Sequence, residues 1–204
     1  MKPKFHITQN STLIDTKVEI RITDLLPNEI VTLKAEMRDN LGVDWESCAE
    51  FTSDNEGKIN LATAQPLSGT YDMPDITGLF WSMSPIRNAQ PKNRTPLKPL
   101  ETKIFLMRMK GGVTSTSIIR EVVSPEVYRL PISVKGLVGT FFFHPKSGPL
   151  PTVIVLGGSE GGLRESNAAL LASHGFNTLA LAYFGTENQP KKLVCIPLDY
   201  MEKL

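Results

Sequence analysis

The residues Gly157-Gly158-Ser159-Glu160-Gly161 match G-x-S-x-G, directly after the apolar run "TVIVL" and directly before a helix-like segment. In that setting a serine hydroxyl can attack a carbonyl carbon from a sharp strand-to-helix turn. Such a nucleophile needs a base within about 3 Å, normally a histidine. The chain has three histidines. His174 ends the expected helix, which places it on the order of 20 Å from Ser159 at about 1.5 Å rise per residue. His144 closes a strand expected to run antiparallel to "TVIVL". It should lie by that strand's start, also on the order of 20 Å away at about 3.3 Å per residue. His6 belongs to the other half of the chain. All three are read as ordinary strand, loop or helix-end residues, His174 being favourable at a helix C-terminus.

A glycine turn of this kind has a second use. In α/β-hydrolases the loop after an early strand contributes one backbone N–H to the oxyanion hole, and the residue after the nucleophile contributes the other. Glycines let the backbone approach a reacting carbonyl, and the helix N-terminus adds partial positive charge. Both roles for Ser159 stay open at this level, and the histidine distances favour the oxyanion loop, with Gly158 and Ser159 as its candidate residues. Phosphate chemistry fits less well. G-x-G-x-x-G fails because Ser159 stands where its middle glycine would be, the Walker lysine is absent, and Ala182 and Tyr183, not an acid, end the next strand. No cofactor or metal-ligand spacing is expected.

The elements that must position this turn change character near residue 125. Before it, Val18, Ile20 and Ile22 alternate with Glu19, Arg21 and Thr23, and Val31, Leu33, Ala35 and Met37 alternate with Thr32, Lys34, Glu36 and Arg38. Each pattern predicts a half-buried strand. Further strands are expected at "KINLATA", "GLFWSM" and "KIFLMRMK", punctuated by turns at "LPNE", "DNLG", "SDNEG" and "PLSG". About seven short strands without a helix predict an antiparallel, Ig-like β-sandwich over residues 1–125. Trp45 and Trp81 are expected in its core. After residue 125, "VYRLPIS" and "LVGTFFFHP" predict a hairpin. "TVIVL", an amphipathic helix from Leu163 to His174 and "NTLALAY" then form a strand-helix-strand crossover, expected in a parallel sheet covered on both faces. "LDYMEKL" resembles the first turns of another helix. Residues 126–204 are therefore expected to be α/β, so the fold class is mainly β plus α/β.

Composition bounds the remaining function classes. With 41% hydrophobic and 21% charged residues and a net charge of +1, the 204-residue chain is ordinary for a globular protein. It offers no basic face for nucleic acid. Lys92, Arg94 and Lys98 form its densest basic cluster, read as a solvated loop with contact to a phosphorylated ligand as the alternative. No apolar run has signal-peptide character or reaches the roughly 18 residues of a membrane span. Cys48 and Cys195 are far apart and lack metal spacing, which predicts reduced thiols in a cytoplasmic location.

"SGTYDMPDITGLFWSMSP" (68–85), "GPLPTVIVLGGSEGGLRESNAALLASHGFNTLALAYFG" (148–185) and "IPLDYMEKL" together resemble the acyl-CoA thioesterase and bile acid-CoA:amino acid N-acyltransferase family. The resemblance covers essentially the whole chain. It implies an N-terminal β-sandwich and the first part of an α/β-hydrolase domain, with acyl-CoA as substrate. It also implies that Gly158 and Ser159 lie in the oxyanion-loop region, that Gly161 and Gly162 shape the turn, and that Arg164 and Glu165 face solvent or cap the helix. In the family the nucleophile, acid and histidine lie beyond the segment matching "IPLDYMEKL", so this chain is expected to lack the triad and to be inactive alone. The alternative is a non-catalytic β-sandwich module that binds a partner or ligand. An apolar sheet cut short at "TVIVL" also predicts self-association through an unpaired edge.

Overall fold

The computed structural model describes residues 2–86, 97–109, 111–134, 136–145, 150–186 and 189–203. Lys92 and Arg94 of the basic cluster lie outside them, and Lys98 is exposed. The chain forms two compact units, one of Met1–Gln90 with Pro99–Glu121 and one of Pro91–Lys98 with Val122–Leu204.

The first unit is almost entirely β. Its strands are β1 (Lys4–Ile7), β2 (Ser11–Leu13), β3 (Ile20–Thr23), β4 (Ile30–Arg38), β5 (Asp44–Thr52), β6 (Ile59–Asn60), β7 (Ser68–Gly69), β8 (Ser84–Pro85), β9 (Leu100–Arg108) and β10 (Val113–Glu121). One sheet has the order β1-β3-β6 and the other β2-β10-β9-β4-β5-β7, with β8 also on β5. All of these pairings are antiparallel except that of β2 with β10. The expected period-two alternation holds. Val31, Leu33 and Ala35 of β4 are buried, as are Ile20 and Ile22 of β3, and they share one core with Phe51, Ile104, Leu106 and Ile118. Each such side chain contributes about 1.5–3 kcal/mol by leaving water.

Two expected strands take other shapes for local reasons. "GLFWSM" opens with a single helical turn, α1 (Gly78–Trp81), instead of a strand. The Asp75 carboxylate accepts the Thr77 backbone N–H (2.7 Å) and hydroxyl (2.8 Å), and the Thr77 carbonyl then accepts the N–H groups of Phe80 and Trp81. A side chain that bonds its own backbone two residues on diverts the chain from a strand ladder. These bonds hold the Asp75 carboxyl below its ordinary pKa. The turn leaves Trp81 59% exposed rather than in the core, its indole N–H donating to Asp75 Oδ2 at 2.9 Å. In "KINLATA" only Ile59–Asn60 is strand, because the Asn60 carbonyl accepts from the N–H groups of Thr63 and Ala64 and turns the chain. Trp45 is half-buried, with its indole N–H on Asp39, the residue that caps the β4–β5 turn through Leu41 and Val43.

The second unit has β11 (Tyr128–Val134), β12 (Leu137–Phe143), β13 (Thr152–Leu156), α2 (Glu165–Ser173) and β14 (Asn177–Ala182). The expected hairpin is β11–β12, and the expected parallel pair is β13–β14, with Ile154 opposite Leu179. The sheet order β11-β12-β14-β13 corrects one expectation: β12 pairs with β14 and not with "TVIVL". β14 takes the middle because Thr178, Ala180 and Ala182, all fully buried, give α2 a flat surface to lie on. Thr178 also donates its hydroxyl to the Ala168 carbonyl at 2.8 Å. The helix starts at Glu165, two residues later than expected. It buries an alanine face (Ala168, Ala169, Ala172) and not a leucine one. The face opposite α2 is only partly covered among the described residues: Leu181 of β14 is fully buried there, while Ile154 and Leu156 of β13 each remain 45% exposed. "LDYMEKL" forms a 3-10 turn over Leu198–Lys203 in place of an α-helix, and its Tyr200 hydroxyl accepts the Val138 N–H and donates to the Ala182 carbonyl.

Candidate functional site

The G-x-S-x-G turn lies where sequence reading put it, between β13 and α2, and its glycines have separate reasons to be glycine. A Cβ on Gly157 would meet the Gly161 and Gly162 carbonyl oxygens at 3.0 Å. Gly161 has φ +64°, and a Cβ there would lie 2.8 Å from the Phe184 ring and carbonyl. Gly162 has φ +73°, in the left-handed region that side chains avoid. Gly158 faces open space.

The loop is fastened to the end of β14. The Tyr183 hydroxyl donates to the Gly157 carbonyl at 3.0 Å, and the Gly162 N–H donates to the Phe184 carbonyl at 2.9 Å. Within the loop, the Gly161 N–H closes a turn onto the Gly158 carbonyl at 2.9 Å. The N–H groups of Gly158, Ser159 and Glu160 have no protein acceptor among the described residues, and all three residues are exposed. The turn thus presents successive backbone donors on a base fixed at both ends. Such an arrangement can stabilise negative charge on an incoming oxygen.

As a nucleophile Ser159 lacks support. Its hydroxyl has no partner among the described residues. The His144 ring nitrogen Nε2 is engaged with the Ala172 carbonyl at 2.8 Å, at the C-terminal end of α2. His174 caps that same end. Ser159 precedes the opposite end, and the nine residues of α2 span about 13 Å at 1.5 Å per residue. His144 therefore stands at the start of the sheet as expected, although beside β14 and not beside β13. The His6 ring bonds the Thr23 hydroxyl at 2.9 Å, within the first unit.

Sequence reasoning missed what anchors the start of α2. Glu165 neither faces solvent nor caps the helix. It accepts two bonds from the Arg129 guanidinium (3.0 and 2.7 Å) and one from the buried Thr140 hydroxyl (2.6 Å). This pairing raises the Arg129 pKa above its ordinary value. Arg129 and Thr140 sit on neighbouring strands, β11 and β12, so no local spacing signals the contact. Arg164 instead pairs with Glu160 at 3.2 Å. Among the described residues no three His, Cys, Asp or Glu side chains gather as a metal site, and no helix is long and apolar enough to cross a membrane. Cys48 and Cys195 are free thiols.

Comparison with known proteins gives a family match and several relatives. Residues 15–134 match the model of the acyl-CoA thioester hydrolase/BAAT N-terminal region. The chain is 34% identical over 199 residues to peroxisomal succinyl-coenzyme A thioesterase of Mus musculus, an alignment covering 93% of this chain and 46% of that protein. It is 34% identical over 207 residues to bile acid-CoA:amino acid N-acyltransferase of Homo sapiens, covering 96% and 50%. With mitochondrial acyl-coenzyme A thioesterase 2 of Homo sapiens it shares 32% identity over 200 residues, covering 93% and 40%. The chain spans about half the length of the relatives it matches.

Proposed function

Since this chain belongs to the acyl-CoA thioester hydrolase/BAAT family, we propose that it carries the front portion of a thioester-cleaving α/β-hydrolase, with Gly158 and Ser159 in its oxyanion loop. Attack on an acyl-CoA thioester makes a tetrahedral oxyanion, and one fixed backbone donor there is commonly worth about 3 kcal/mol. The observation that carries this reading is the turn itself: it is pinned by Tyr183 and Phe184, its N–H groups at Gly158 and Ser159 point to no protein acceptor, and no described histidine stands beside Ser159. On this reading Ser159 is not the nucleophile, and no Ser159-dependent turnover is expected from residues 1–204. The parallel pair β13–β14, joined through α2, supports an α/β sheet that continues past β13. The outer edge of β13, which has no partner strand among the described residues, invites self-association. A cytoplasmic, reducing location accords with the two free thiols.

The test separates the hydroxyl of Ser159 from its amide. The chain is joined in frame to the part of human bile acid-CoA:amino acid N-acyltransferase that follows the aligned segment, and acyl-CoA turnover is measured. Ser159→Ala, which keeps the N–H, is expected to leave kcat within about threefold. Ser159→Pro, which removes it, is expected to lower kcat by about a hundredfold. A dead Ser159→Ala chimera beside an active parent would assign the nucleophile to Ser159 and overturn the reading. A second reading, a non-catalytic β-sandwich module, is favoured by the edge of β10, which β2 covers only at Ile119–Glu121 among the described residues.

A further inference from the structure

The phase of the β10 ladder decides which of its backbone groups are free. The Ile119 N–H donates to the Asn10 carbonyl, towards β2, and the Arg108 N–H donates to the Gly112 carbonyl, between β9 and β10. Antiparallel pairs alternate between bonded and non-bonded, so Thr114, Thr116 and Ile118 bond β9, while Val113, Ser115 and Ser117 turn their N–H and C=O groups to the opposite side. β2 covers that side only at Ile119–Glu121. The stretch from Val113 to Ile118 is therefore an open strand edge among the described residues. Natural edges are blunted by proline or charge. This one carries neither, whereas β1 is preceded by Pro3 and begins with Lys4.

The open edge lines a groove of about 430 Å³, with Thr114, Ser115 and Thr116 on one wall and Lys2, Lys4 and His6 on the other. No carboxylate is among its lining residues. Lys4 is paired with Asp24 at 3.0 Å, and the His6 ring is bonded to Thr23, which leaves Lys2 as the uncompensated cation among the described residues of the groove. We propose that this groove receives an extended segment of a partner protein that adds to β10 as a strand and places a carboxylate against Lys2. Main-chain bonds to Val113, Ser115 and Ser117 supply the affinity, and the basic wall selects an acidic sequence. The inference lies wholly within the first unit and is independent of the role of the glycine turn.

The test titrates the full chain, at submicromolar concentration, against a short fluorescent peptide alternating valine and glutamate, read by anisotropy. The same peptide with glutamine for glutamate is expected to bind roughly fivefold more weakly, as is the acidic peptide to Lys2→Glu. Ser115→Pro deletes one outward N–H and leaves the β9 ladder intact, as prolines on edge strands do. It is expected to weaken binding about tenfold. A peptide N-methylated at alternate positions tests the same bonds on the unaltered chain, so the result does not depend on how the proline variant folds. In hydrogen exchange, the Ser115 and Ser117 amides should slow when peptide is added. Equal binding of the acidic and neutral peptides, indifference to both Ser115→Pro and N-methylation, or absence of binding would each overturn the proposal. So would concentration-dependent protection of residues 113–117 without peptide, which would assign the edge to a second copy of the chain.

Discussion

Truncating Arg120 to alanine is expected to cost the first unit about 3–4 kcal/mol, the largest single stability effect predicted for it. Arg120 is 4% exposed, and burial pulls its pKa below the ordinary value, against the opposing pull of Asp15. Its Nη1 donates to the Thr12 hydroxyl at 3.2 Å, its Nη2 donates to the Ile14 carbonyl, and its guanidinium lies 4.6 Å from the centre of the Phe80 ring. The parallel β2–β10 pairing is only three residues long, so these bonds fasten β2 where the ladder alone is weak. Alanine removes them, leaves the Thr12 hydroxyl with only its bond to the Leu13 carbonyl (3.2 Å) and opens a cavity beside Phe80. Arg120→Met refills the volume and keeps contact with the ring, so its cost should fall to about 1–2 kcal/mol. Equilibrium urea unfolding of both variants measures the difference. Arg120→Ala within about 0.5 kcal/mol of the parent would show that β2 is held by other contacts.

The second large effect concerns the state of association. The registers place Leu130, Phe141, Leu179 and Ile154 in one row across the sheet, and Ile132, Gly139, Leu181 and Leu156 in the next. α2 packs its alanines with Phe142 and Ala180, which lie on the opposite face. Leu130, Ile154 and Leu156 remain exposed, and the outer edge of β13 has no partner strand among the described residues. Burying such a surface is worth about 25 cal/mol per Å². Association of the chain at micromolar concentration is the expected result in sedimentation velocity, and Ile154→Lys with Leu156→Lys should disperse it. A stable 22.5 kDa monomer at that concentration would contradict it.

The elements legible in the sequence were those whose pattern is local. Period-two alternation in β4 gave its buried set directly, and the glycine turn followed from the residues on either side of it. What escaped depended on one side chain or on distant pairing. Asp75 bent "GLFWSM" into α1 and exposed Trp81. The position of β14 between β12 and β13 follows from the small residues it offers to α2, a packing property invisible to hydrophobicity alone. The Glu165 anchor joins residues 36 and 25 positions apart, so sequence showed only a charge at the start of a helix. For the same reason Tyr183 read as a strand-end aromatic and not as the group that fixes Gly157.

We propose that Ser159 is part of a backbone-donor loop and not an activated nucleophile. The most direct measurement of this is covalent labelling, since one chemical event per molecule suffices and no turnover is required. The chain and its Ser159→Ala variant are incubated separately with a fluorophosphonate and with an acyl-CoA, then analysed by intact mass and peptide mapping. No adduct on Ser159 is expected with either reagent, because no histidine among the described residues stands beside its hydroxyl. An adduct mapped to Ser159 and absent from Ser159→Ala would contradict the proposal.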